Sequence, residues 1–252
     1  MGAQLRVVLD QIAQVVDSDQ AGAARDLTAG LIATAPTDCT VEAIVASGSQ
    51  LDLAGLADVR SLGLARRELA ASWQLGFTPG VGGGLIHAPT LMAPLVKHDR
   101  VHDHDQVAVT VWDFLAWEAP QSLSKTLVAW QRGMMRRAVR HADVVVVPSH
   151  EMAERIGSFA KLGDRVRVIA GAQPDGFAVP ADAATRRAAL SLPERYVVLT
   201  GAAERLKQGF RAAAAADTDA VVLDAAEGAE PQLAEIASAA GLPERRAPIR
   251  GA

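Results

Sequence analysis

What most constrains this chain is a recurring pair: a short run of consecutive apolar residues, then a stretch with helical spacing. The runs cover residues 5–9, 41–45, 84–87, 107–111, 143–147, 166–169, 196–200 and 220–223. Successive side chains of a strand point to opposite faces, so a run that is apolar at every position is buried on both. Parallel sheets covered by helices produce such strands. Between the runs, Ala24, Leu27, Leu31 and Ala35 share one helical face. Leu127, Trp130, Met134, Ala138 and His141 share another, and Leu233, Ile236 and Ala240 define a last helix that Gly241 stops. This alternation predicts an α/β fold, an open, doubly wound, Rossmann-like parallel sheet.

Gly171, Pro174, Gly176, Pro180 and Pro193 punctuate the chain around a short helix at 183–190. The pattern gives six strands before this segment and two after it. A first Rossmann-like domain is therefore expected over 1–175 and a partial second one over 176–252. Two strands on so short a chain make a poor independent core, because small domains bury too little surface.

Composition excludes several classes. The net charge is −4 and the Lys and Arg residues form no dense block, which argues against nucleic acid as a partner. The single cysteine, Cys39, supplies neither an intramolecular disulfide nor a thiolate zinc site, and it fits a reducing compartment. No basic segment leads into a long apolar run at the N-terminus, and no stretch stays apolar for the ~20 residues of a membrane span. The expected location is cytoplasmic.

Four segments carry a resemblance. Residues 5–10 lead through a loop to Ala21-Gly22-Ala23-Ala24-Arg25, and Leu85-Ile86-His87-Ala88-Pro89 forms a second segment. The third runs from Val109-Thr110-Val111-Trp112-Asp113-Phe114 through Trp117-Glu118-Ala119-Pro120 to Ala142-Asp143 and Ser149. The fourth is Val166-Arg167-Val168-Ile169-Ala170-Gly171. Their order and spacing resemble the glycosyltransferases of the GT-B fold, family 4 (glycosyltransferase group 1). Later, Tyr196 to Gly201, followed by Arg205-Leu206-Lys207-Gln208-Gly209, resembles that family's donor-side segments.

The resemblance implies a retaining hexosyltransferase that takes a nucleotide sugar as co-substrate, with no other cofactor and no metal. A saccharide or lipid-linked molecule would be the acceptor. Two departures stand out. Trp112 occupies the position of a family histidine, and an indole offers no acceptor lone pair. The family's later pair of glutamates has no counterpart, since Glu227, Glu230 and Glu235 come too early. The chain is thus expected to be truncated in its second domain. A non-catalytic relative, completed by a partner chain, is the alternative reading. A dinucleotide-dependent oxidoreductase finds no support, because no Gly-x-Gly-x-x-Gly follows the first strand.

Within this resemblance each site residue has two readings. Gly201, Arg205 and Lys207 would hold a diphosphate at a helix N-terminus, or the two cations simply face solvent. Asp113 ends a buried strand, where open α/β sheets place ligands. It would orient or deprotonate an acceptor hydroxyl, or else cap the next turn. Gly22, His87 and Trp112 are assigned to the acceptor side, against a turn for Gly22 and a structural hydrogen bond for His87. Ser149 reads as a helix cap.

The segment 98–105 contains Asp103-His104-Asp105 and His102-His104 patterns, but it precedes a strand and reads as a polar loop without metal. The glycine-rich 80–84 runs into a strand, so a phosphate cradle is not expected. Arg132, Arg136 and Arg140, with Arg137 nearby, read as a solvated helix face, with peripheral contact to anionic lipid as the alternative.

Overall fold

Strand β1 (Ala3–Val8) lies inside a seven-stranded sheet whose order is β3-β2-β1-β4-β5-β6-β7 and whose pairings are all parallel. This computed structural model describes residues 3–14, 17–99, 104–172, 178–201, 203–223 and 230–242. The chain divides into two units, Met1–Phe177 and Ala178–Ala252.

In the first unit, α1 (Asp10–Ala13) and α2 (Ser18–Thr34) follow β1, and β2 (Cys39–Val45), β3 (Val59–Ser61) and α3 (Arg66–Leu75) come next. Then follow β4 (Leu85–Ala88), β5 (Gln106–Thr110), α4 (Leu115–Glu118), α5 (Lys125–His141), β6 (Val144–Val147), α6 (His150–Ile156) and β7 (Val166–Val168). In the second unit, α7 (Ala183–Ala189) precedes β8 (Tyr196–Leu199), α8 (Ala203–Ala215), β9 (Asp219–Val222) and α9 (Glu230–Ala239). Strands β8 and β9 form a separate parallel pair.

The consecutive apolar runs of β1 and β2 are explained by two cores, one on each face of the sheet. Val8, Ile44, Ile86, Ala88, Val109 and Val147 pack with Leu69 and Trp73 of α3, Met134 and Ala138 of α5 and Ile156 of α6. Their sequence neighbours Val7, Leu9, Ala43 and Val45 pack with Ile12 and Ala24 on the other side. The face anticipated for α2 is there, with Leu31 and Ala35 against this second core. A third core, containing Leu206, Phe210, Val222, Leu233 and Ala237, belongs to the second unit.

The fold is the doubly wound α/β arrangement anticipated from the pattern. Strand β3 is the exception: its three residues are exposed at the sheet edge. Val-Arg-Ser has no apolar run, so only backbone pairing with Ala43, Ile44 and Val45 defines it.

Caps match local chemistry. The Asp17 carboxylate accepts from the N–H groups of Asp19 (3.0 Å) and Gln20 (2.9 Å), so α2 opens at Ser18. Ser149 accepts from the Met152 N–H at 3.2 Å, the capping role expected for it. The glycine-rich turn also finds its reason. Gly80, Gly82 and Gly84 have φ of +74°, +72° and +103°, a region that disfavours side chains. There the backbone wraps two guanidinium groups, with Arg6 and Arg60 both donating to the Val81 carbonyl.

Candidate functional site

The sheet changes winding direction between β1 and β4: β2 lies on one side of β1, and β4 leads the other way. Open α/β sheets leave a crevice at such a switch point, beyond the strands' C-terminal ends. Here that crevice is a cleft of about 1080 Å³ within the first unit. Asp10 enters it after β1, Thr90 after β4 and Trp112 and Asp113 after β5, while α3 and α5 form its walls.

Asp10 is the deepest charged group, 5% exposed. Its Oδ2 accepts from Arg66 Nη2 at 2.8 Å and its Oδ1 from Thr90 Oγ1 at 3.2 Å. Thr90 Oγ1 in turn accepts from the Met92 N–H at 3.1 Å. Burial raises the Asp10 carboxyl above its ordinary 3.8, while Arg66 and the Thr90 hydroxyl act in the opposite sense. Arg66 is the first residue of α3 and Asp10 the first of α1, so one ion pair joins segments 56 positions apart.

The cleft's ionisable lining is balanced: Asp10, Asp17 and Asp113 against Arg66, Arg67 and Lys125. Two indoles, Trp112 and Trp130, and four amides, Gln11, Gln20, Gln74 and Gln131, complete much of the wall. Trp130 Nε1 donates to the Ala70 carbonyl at 3.2 Å, which ties α5 to α3.

Trp112 and Asp113, expected at a site, do line the cleft. The Trp112 N–H donates to the Pro89 carbonyl at 2.7 Å, pinning the loop after β4. One Asp113 oxygen accepts from the Leu115 N–H at 2.9 Å, the capping alternative foreseen for it. His87 lies one layer below. Its Nε2 is 3.0 Å from Thr110 Oγ1, and Thr110 lines the cleft while His87 does not. Burial lowers the His87 pKa from 6.5 to about 4, which leaves the ring neutral at physiological pH.

Gly22 is not in a turn. It lies inside α2 on an exposed face, and an added Cβ there would meet nothing within 4 Å. Gly201, Arg205 and Lys207 fall in the second unit. Gly201 has φ +109° after β8, and Arg205 and Lys207 are on α8, Arg205 exposed and Lys207 half-buried. Gly209 sits where α8 crosses β8, and a Cβ there would meet Leu199 Cδ2 at 2.7 Å.

The arginine face of α5 is only partly solvated. Arg132 donates to the Ala116 carbonyl of α4 at 2.9 Å and Arg137 to that of Leu95, in the segment after β4, at 3.0 Å, so these two tie α5 to its neighbours. In the segment 98–105, His102 and Asp103 lie outside the described residues, and Asp105 accepts from the Gly84 N–H. Among the described residues no group of three or more His, Cys, Asp or Glu side chains is arranged to hold a metal. Among them, too, no helix is long and apolar enough to cross a membrane.

Asp10, Arg66, Thr90 and Trp130 are the site residues that sequence reasoning missed. Asp10 had a signal, a carboxylate directly after the first apolar strand. Arg66 had none, because its partner is remote in sequence.

This architecture is a GT-B-like fold. A sucrose-phosphate synthase from Thermosynechococcus elongatus shares it at 16% identity with a TM-score of 0.58, over 99% of this chain and 70% of that one. HepE of Anabaena, in complex with UDP and glucose, matches at 17% identity and a TM-score of 0.53, over 100% of this chain and 69% of that one. The same protein in complex with UDP-glucose matches at 17% and 0.54, covering 98% and 68%. No protein-family model matches this chain, and no curated protein sequence matches it.

Proposed function

We propose that this chain acts as a retaining glycosyltransferase similar to family 4, transferring a hexose from a nucleotide sugar to a saccharide or lipid-linked acceptor. The observation that carries the reading is a cleft at the switch point, lined by carboxylates, amides and indoles among apolar residues, in a fold shared with a UDP-glucose-bound structure. In this reading the first unit serves the acceptor and the second the donor. Helix α8 carries Arg205 and Lys207 after Gly201, and in this reading the two cations hold the diphosphate. As the bond from sugar C1 to the diphosphate breaks, these cations stabilise the leaving charge. The acceptor hydroxyl forms the new bond to C1 on the same face, and its proton passes to the departing diphosphate oxygen. The Asp113 oxygen not engaged by Leu115 orients that hydroxyl.

A thermal-shift titration with UDP-, GDP- and dTDP-linked hexoses tests the reading, since a ligand of the folded state raises Tm by mass action. One nucleotide sugar is expected to shift Tm selectively. Lys207→Ala should weaken its binding about tenfold, the scale of one lost charge-assisted contact. No shift with any donor, on folded protein, overturns the assignment.

A second reading, a binding or partner subunit without transfer, draws on specific observations. The Trp112 N–H and one Asp113 oxygen are engaged in holding loops. Strand β8 also leaves Val197 and Val198 exposed, at 39% and 50%.

A further inference from the structure

We infer that the cleft of the first unit binds an uncharged, polyhydroxylated sugar, and that the Asp10–Arg66 pair is the element that excludes phosphorylated ones. Calling that sugar the acceptor rests on the glycosyltransferase reading; the binding itself does not. Anion recognition needs donors that converge with net positive charge. Among the described residues, the least exposed cation lining the cleft is Arg66, half-buried, and it already gives a guanidinium N–H to Asp10 at 2.8 Å. Arg67 and Lys125 are exposed and stand on different helices, α3 and α5. A phosphate entering there would meet the Asp10 carboxylate beside the half-buried Arg66 guanidinium.

Hydroxyl groups place the opposite demand. Each donates and accepts, so carboxylates, amides and hydroxyls mixed in one wall satisfy them. The faces of Trp112 and Trp130 suit the apolar face of a pyranose ring, since an indole presents large contact area at low entropy cost. A cleft of about 1080 Å³ has room for more than one ring.

The test exposes the full chain to an array of neutral, phosphorylated and uronate-bearing oligosaccharides. The best neutral glycan and glucose 6-phosphate are then titrated by tryptophan fluorescence. Binding is expected to be confined to neutral glycans. Asp10→Asn, close in shape, should weaken neutral binding about tenfold while strengthening glucose 6-phosphate binding, because Arg66 loses its counter-charge. A merely structural Asp10 would give no such gain. Arg187→Ala, an exposed charge on α7 outside the cleft, should leave neutral binding within about twofold.

The inference falls if only anionic glycans bind, if no glycan binds, or if Asp10→Asn leaves the neutral-to-phosphate ratio unchanged. If Asp10→Asn does not fold by circular dichroism, the selectivity of the unaltered chain decides. Neutral glycan binding without any nucleotide-sugar shift would sink the transferase reading and leave this one standing. A nucleotide-sugar shift with preference for anionic glycans would do the reverse.

Discussion

At the scale of single residues, the site is built from groups held by neutral or compensated partners. His87 shows it best. A half-buried imidazole with its pKa lowered to about 4 binds a proton less readily than the same ring in the unfolded chain. The unfolded state therefore takes up the proton first as pH falls. Stability from His87 is complete above 6.5 and is lost as pH drops from 6.5 to about 4. The loss is up to about 3 kcal/mol, the shift converted at 1.36 kcal/mol per unit. Urea midpoints measured between these limits should fall steeply, and His87→Gln should flatten that slope. An unchanged slope in the variant would assign the acid sensitivity elsewhere.

Helices reach the site through their caps and buried faces. Asp17 satisfies two free N–H groups at the start of α2, and its replacement by Ala should cost about 1 kcal/mol by chemical denaturation. Helix α5 presents Met134, fully buried in the core that also holds Val109 and Trp73. Met134→Ala should cost about 2–5 kcal/mol, depending on how far the surroundings collapse. A loss below 1 kcal/mol would mean that α5 is not tightly seated. The motif segment after β5 is also explained at this scale. Trp117 stacks on Phe159 at 4.8 Å, Phe114 meets the same ring edge-on at 4.7 Å, and Arg155 pairs with Glu118. These positions, which carry the family resemblance, therefore pack α4 against α6 and the turn that follows it.

For the whole molecule, two units with separate cores predict two unfolding steps. All four tryptophans, Trp73, Trp112, Trp117 and Trp130, belong to the first unit, whereas Tyr196 belongs to the second. Tryptophan fluorescence then follows the first unit alone, while far-UV circular dichroism follows both. The two urea curves should not coincide, with the second unit, whose core is smaller, melting earlier. Coincident curves would show that the units unfold as one.

The sequence by itself determined the fold class. Burial on both faces forces consecutive apolar residues into β1 and β2, and that signal is local. It also marked Asp113, because a polar break after a buried strand is visible in one dimension, whereas Trp112 was marked only through the family resemblance. It missed β3, an edge strand with no burial to record. Nor did it reveal that Gly22 is carried inside a helix, where a substitution would meet open space. Only the tertiary structure brought Asp10, Arg66 and Thr90 together. Their contacts span 56 and 80 positions, and a pair that distant leaves no periodicity in sequence to read. The same packing set the balance of charge in the cleft, because which cation meets which carboxylate is decided where α3 docks on the sheet.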